Sequence, residues 1–120
     1  MENVVEINRK QKFTLGQAQM LLPLVYRLSE EASQQVGTHL NRLKAYPDKK
    51  HPVAVEIEAA INIIIAKWQN KMEKLGAEPK GLWMADFDKG DGYYCWKFPE
   101  NEIKFWHGYQ DGYSGRILVE

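Results

Sequence analysis

The chain has 120 residues and a mass of 13.9 kDa, which suffices for one hydrophobic core and is too little for two domains. Lysine and arginine together number 16, as do aspartate and glutamate, so the formal net charge of zero excludes a bulk electrostatic attraction to nucleic acid or anionic lipid. Residues 1–12 carry charges and no long apolar segment, and no later stretch approaches ~20 apolar residues, so we expect neither export nor membrane spanning and place the protein in the cytoplasm.

The first predicted element is a long helix that follows a polar N-terminal arm, residues 1–12. Whether this arm is frayed or forms a short edge strand stays open. Thr14 followed by Gln17 is a capping box, which predicts that a helix begins there. Apolar positions then recur at spacings of three and four residues from Leu15 to Tyr46, so one face of the helix should be buried. Pro23 within this pattern predicts a bend.

A second helix follows a short loop that contains two prolines. Pro52 suits a first helical position, and Gly76 suits the position just after the helix ends. Because the loop is short, residues 13–76 should form an antiparallel helical hairpin. Ile63, Ile64 and Ile65 point in three directions, so one partner helix cannot cover them all. We therefore expect another surface to meet them and predict a homodimer.

The C-terminal part, residues 81–120, is predicted to be a small antiparallel sheet. Residues 76–81 are predicted to be a linker, 82–87 a first strand and 88–92 a turn. Two aromatic runs within 92–107, separated by Pro99, Glu100 and Asn101, indicate a β-hairpin. A glycine-rich loop and a short strand at 117–119 complete a single α+β domain, residues 1–120, with two long antiparallel helices packed on the sheet.

Several motifs, in order, resemble the bacterial family known as domain of unknown function 2203. The residues that carry the resemblance are Phe13-Thr14-Leu15, Leu21-Leu22-Pro23, Gly81-Leu82, Asp86-Phe87, Cys95-Trp96, Trp106-His107, and Gly112 with Gly115-Arg116. The similarity runs from Phe13 almost to the end of the chain and is most specific in the C-terminal half. It implies a fold and a bacterial origin, and it implies no activity.

Polar residues among the aromatic side chains are the candidate ligand-binding residues: Asp86, Glu102, His107, Asp111 and Arg116. A histidine with carboxylates can perform acid–base chemistry or bind a divalent ion. The alternative, which we favour, is structural: Asp86 pairs with Arg116, and His107 bonds to the backbone. We therefore predict no catalytic residue, no metal and no cofactor.

The single cysteine and the aromatic side chains also have two interpretations each. Cys95 excludes an internal disulfide, and a nucleophilic role would need His107 as its base, so a buried structural thiol is favoured. Trp83, Tyr94 and Trp96, with Phe105 and Trp106, could stack on bases, but the scattered lysines around them favour core packing.

The predicted function is that of a non-catalytic protein-interaction module, a homodimer that could also bind another protein. We expect neither nucleic acid nor a membrane as partner. The alternative is a small enzyme or a ligand- or metal-binding protein with a polar pocket of Asp86, Glu102, His107 and Arg116. Convergence of these side chains on one site would distinguish the two.

Overall fold

The structure is a computed structural model that describes residues 11–120. Within this range two helices precede a five-stranded antiparallel sheet, so the predicted α+β fold is confirmed. The predicted N-terminal arm lies outside the described residues except for its last two, Gln11 and Lys12. Neither helix of the described range is long and apolar enough to cross a membrane.

The two helices are α1 (Leu15–Leu43) and α2 (Pro52–Lys74). Both begin where predicted, but α1 ends three residues before Tyr46, the last position of its predicted apolar pattern. At the start of α1, the Thr14 hydroxyl accepts the backbone N–H of Gln17 at 3.1 Å, and the Gln17 side chain accepts the backbone N–H of Thr14 at 2.9 Å. The first residue of α2 is a proline, whose missing N–H would have no partner in a first turn anyway. Gly76, two residues beyond α2, has a φ of 91°, which an L side chain rarely adopts.

The sheet is a meander in which every neighbouring pair of strands is antiparallel. Its strands, in chain order and in spatial order, are β1 (Glu78–Pro79), β2 (Met84–Asp88), β3 (Tyr93–Lys97), β4 (Phe105–His107) and β5 (Ile117–Leu118). One assignment differs from the prediction, because β1 lies in the segment predicted as a linker. A strand of two residues shows no periodic pattern, and its proline is tolerated because β1 is an edge strand.

One face of the sheet packs on the helices and forms the main core. Ala85 and Phe87 of β2 and Trp96 of β3 join this core, which takes its other residues mainly from the first half of α1 and the last part of α2. A smaller cluster of Val36, Ile57 and Ile61 lies further along the hairpin and contains no buried residue of the described sheet. The sheet therefore supports one part of the hairpin, and the other part is held by helix–helix packing.

The three consecutive isoleucines of α2 are covered unequally. Ile64 and Ile65 pack on the smaller cluster together with Trp83, as expected for residues that another surface meets. Ile63, in contrast, is 56% exposed. The described chain thus leaves a large apolar side chain of α2 in contact with solvent.

Candidate functional site

Three polar side chains meet on the sheet face that points away from the helices. Asp86 of β2 is directly opposite Cys95 of β3, and Tyr93, two residues before Cys95, is opposite His107 of β4. Because side chains alternate along a strand, Asp86, Cys95 and His107 therefore lie on one face. Their exposed fractions are 2%, 0% and 3%. We call these three residues the buried polar cluster.

The C-terminal segment, residues 108–116, folds across this face. The ring of Tyr109 packs edge-on against Tyr93, with 5.1 Å between the centroids. The guanidinium of Arg116 lies 4.0 Å from the ring centroid of Phe105 and 4.2 Å from that of Tyr113. These contacts place aromatic rings and one cation over the sheet, which explains how polar residues on the face opposite the helices are removed from solvent.

His107 and Asp86 are joined by a hydrogen bond. The Nδ1 atom of His107 lies 2.8 Å from the carbonyl oxygen of Gly108, and since a carbonyl only accepts, Nδ1 carries a hydrogen. The Nε2 atom of His107 lies 3.1 Å from Oδ2 of Asp86. Either an imidazolium donates to a carboxylate here or a carboxylic acid donates to a neutral imidazole. Burial raises the pKa of Asp86, which disfavours the arrangement with a charged carboxylate. The nearby His107 acts in the opposite direction and lowers the pKa of Asp86.

The surroundings of Cys95 disfavour its thiolate, which is the nucleophilic form. Burial, followed by the negative charge of Asp86, raises the pKa of its thiol to about 12, so the thiolate is not formed at neutral pH. Both ring nitrogens of His107 are also engaged, with Gly108 and with Asp86. The Cys95 thiol interacts with the Asp86 carboxylate and not with a free nitrogen of His107, so the cysteine–histidine pair considered above does not form a catalytic unit.

The structure brings together only some of the predicted site residues. Asp86 and His107 are in contact, and His107 also bonds to the backbone as predicted. The predicted Asp86–Arg116 ion pair is wrong, since Nη1 of Arg116 donates to both carboxylate oxygens of Glu100, at 2.9 and 3.1 Å. The physical reason is the strand order. Arg116 directly precedes the edge strand β5, whereas Asp86 is on β2, which lies three strands away.

Glu102 and Asp111 lie outside the buried polar cluster. Glu102 is exposed in the connection between β3 and β4. Asp111 is also exposed, and its Oδ2 atom accepts the backbone N–H of Gly108 at 3.1 Å, which stabilises the turn after β4. The predicted pocket is therefore reduced to the buried polar cluster with Arg116 beside it.

Sequence reasoning missed a second buried carboxylate, Asp88. It accepts hydrogen bonds from the Tyr109 hydroxyl at 2.7 Å and from the Gly90 N–H at 2.9 Å, and it pairs with Lys12 at 3.1 Å. Burial alone would raise its pKa, but these donors outweigh burial and lower it. An aspartate two residues before a glycine in a turn is typical of a side chain that caps the turn, and this pattern could have indicated it.

The fold and the cluster define a small α+β protein whose antiparallel sheet holds a buried group of potential ligands on the face opposite its helices. Residues 11–119 match the family described as "Uncharacterized conserved protein (DUF2203)", and the chain belongs to that family. The resemblance stated above is therefore confirmed as to family. No curated protein and no solved structure matches the chain.

Proposed function

We propose that the protein is a non-catalytic interaction module that forms a homodimer through the outer face of α2. The supporting observation is an exposed apolar stripe on that helix. Val55 and Ile63 are 52% and 56% exposed, and Ala59 and Ala66 are exposed as well. Their spacings of four, four and three residues align them on one face, opposite the face that the core buries.

A second copy of the chain in antiparallel orientation suits this stripe best. Its two alanines allow the backbones of two helices to approach closely, and the charged residues along its border differ between its ends. Glu56 borders the N-terminal half and Lys67 the C-terminal half, and both are exposed. When two copies of α2 pair about a two-fold axis, Glu56 of one copy faces Lys67 of the second copy. A parallel pair would instead place both copies of Glu56 at one end of the interface and both copies of Lys67 at the other.

Sedimentation of the wild-type protein across a dilution series tests the dimer. We expect a concentration-dependent shift between a 13.9 kDa monomer and a dimer. Ile63→Lys should weaken the dimer by placing a charge in the apolar stripe. Leu40→Lys is the matched control, because Leu40 is exposed on α1 outside the stripe. Sedimentation as a monomer at every concentration would reject the proposal.

A charge exchange tests the orientation. Glu56→Lys should weaken the dimer by opposing two lysines, and so should Lys67→Glu by opposing two glutamates. The double variant should restore association, since every antiparallel contact regains opposite charges. If the double variant is no better than the single variants, the antiparallel arrangement is wrong.

We also propose that this module works in the bacterial cytoplasm. The family resemblance supports a bacterial origin, and the buried free thiol of Cys95 supports a reducing compartment. The enzyme alternative has weaker support, because Glu102 and Asp111 do not reach the buried polar cluster and His107 has no free nitrogen to act as a base. The metal-binding alternative is supported by the buried polar cluster, whose three potential ligand atoms lie within 4.8 Å of one another.

A further inference from the structure

We propose that Asp86, Cys95 and His107 form a binding site for a divalent transition-metal ion, for which zinc is the best fit. This inference does not depend on the proposed dimer, because it concerns the opposite side of the sheet and no residue of α2.

The three side chains offer the right donor atoms at nearly the right separations. One carboxylate oxygen, one sulfur and one imidazole nitrogen all lie within 4.8 Å of one another. Tetrahedral zinc with bonds of about 2.0–2.3 Å separates such donors by about 3.3–3.5 Å. The oxygen and the nitrogen are already 3.1 Å apart. The other donor atoms would have to move closer together by at most about 1.5 Å. Small movements of the side chains can provide this without a change in strand pairing.

His107 is oriented as a metal ligand would be. A ligating histidine commonly donates its other ring N–H to a backbone carbonyl or a carboxylate, which fixes the ring and the tautomer. Here Nδ1 donates to the carbonyl oxygen of Gly108 at 2.8 Å, and Nε2 is directed into the cluster.

The carboxylate of Asp86 supplies an independent observation. Its Oδ1 atom is buried and has no hydrogen-bond partner of good geometry among the described residues, although the Cys95 thiol interacts with the carboxylate as a weak donor. A buried acceptor without a donor is unfavourable, and native structures rarely leave one. A cation bound between Asp86 and its neighbours would satisfy this oxygen.

Charge and ligand type select the class of ion. Zinc binding would release the proton of the Cys95 thiol and the proton between Asp86 and His107 to solvent, and the resulting carboxylate and thiolate carry two negative charges, which a divalent cation balances within the buried site. Arg116 lies close enough to favour the thiolate electrostatically, and its own charge is balanced by Glu100 at 2.9 Å. Sulfur and imidazole ligands favour zinc over magnesium or calcium, which prefer oxygen ligands only. Three protein ligands occupy three of the four tetrahedral positions.

The cobalt spectrum of the full-length protein, produced without a histidine tag and stripped with a chelator, tests the site. The chain contains one cysteine, so a sulfur-to-cobalt charge-transfer band can arise only from Cys95. We expect that band, visible bands of tetrahedral intensity, and one equivalent of zinc that displaces the cobalt. A large excess of magnesium should displace neither ion.

Substitutions identify the ligands. Cys95→Ser should abolish the charge-transfer band. Asp86→Asn and His107→Gln should each weaken zinc binding by more than the roughly 10–100-fold that loss of an outer partner causes. The control variant carries His39→Gln and His51→Gln, which replace the other two of the three histidines and should bind zinc like the wild type.

The wild-type protein and Cys95→Ser decide the question even if the other variants fail to fold. A wild-type protein that shows no charge-transfer band with cobalt would overturn the proposal. So would zinc binding of equal strength in the wild type and in a folded Cys95→Ser protein, since the ion would then occupy another place. Equal loss of zinc binding in the histidine control would also reject His107 as the specific ligand.

Discussion

Replacing Ser29 by alanine should destabilise the protein through a single unsatisfied donor. Ser29 and Trp68 are both buried where α1 meets α2, and the serine hydroxyl accepts the indole N–H at 2.9 Å. Alanine removes one oxygen and leaves the indole N–H without an acceptor. Leaving a buried donor unpaired costs about 1–3 kcal/mol, so the free energy of unfolding should fall by that amount in Ser29→Ala.

The same substitution should have little effect once the donor is gone. In a Trp68→Phe background no indole N–H remains, so Ser29→Ala should change the free energy of unfolding by no more than about 0.5 kcal/mol. Ser33→Ala is the matched control on the same helix, because the Ser33 hydroxyl only donates to the carbonyl oxygen of Glu30 at 3.0 Å. Urea unfolding followed by circular dichroism, with an unchanged denaturant slope, measures the free energy of unfolding of the wild type and the four variants. An equal loss in both backgrounds would refute the reasoning.

Three further predictions concern other parts of the chain. The pKa of Asp88 is lowered in the fold, so its contribution to stability is present above the pKa of the unfolded chain and is lost as the pH falls; Asp88→Asn should therefore flatten the stability profile below about pH 4 in acid unfolding. Gly37→Ala should raise the melting temperature, because helix propensity improves by about 1 kcal/mol and the added Cβ would meet no neighbouring atom within 4 Å. Gly92→Ala should lower the melting temperature, because its added Cβ would lie 2.5 Å from a backbone oxygen of β4. A double-mutant cycle of Arg116→Gln and Glu100→Gln should show coupling on the order of 1 kcal/mol in urea unfolding, and additive losses would exclude their ion pair.

Much of the fold could be predicted because its evidence is local. A capping box requires only Thr14 and Gln17, and a buried helix face requires only the recurrence of apolar residues along the chain. The strand β1 could not be predicted in this way. It exists because two residues after α2 pair with β2, and no feature of the dipeptide Glu78–Pro79 indicates that contact.

Whether Cys95 belongs to the buried polar cluster depends on a difference of one residue in a turn. A turn over residues 88–92 would pair Phe87 with Tyr93 and place Cys95 on the opposite face from Asp86. The observed pairing of Asp88 with Tyr93 shortens the loop to four residues and brings Cys95 directly opposite Asp86. A shift of one residue exchanges the two faces of a strand, so an error in a turn boundary becomes an error in the site.

The partner of Arg116 was missed for a different reason, which is that it depends on long-range topology. The sequence places Arg116 after a glycine-rich segment that could reach many acidic residues. Only the position of β5 beside β4 brings the guanidinium to Glu100, over the ring of Phe105. Pairing rules for charged residues do not say which of several distant acidic residues Arg116 will contact. The packing of residues 108–116 across the sheet determines that choice.

The two proposed sites lie on different surfaces, and this makes a final prediction possible. The stripe on α2 faces away from the core, while Cys95 lies on the sheet face that the helices do not cover. Because the core separates them, Cys95→Ser should leave the dissociation constant of the dimer unchanged, and Ile63→Lys should leave the cobalt spectrum unchanged. Sedimentation and absorption of the same two purified variants measure both effects. If Cys95→Ser also dissociated the dimer while remaining folded, the two surfaces would be coupled. The dimer interface would then have to include the sheet face as well as the α2 stripe.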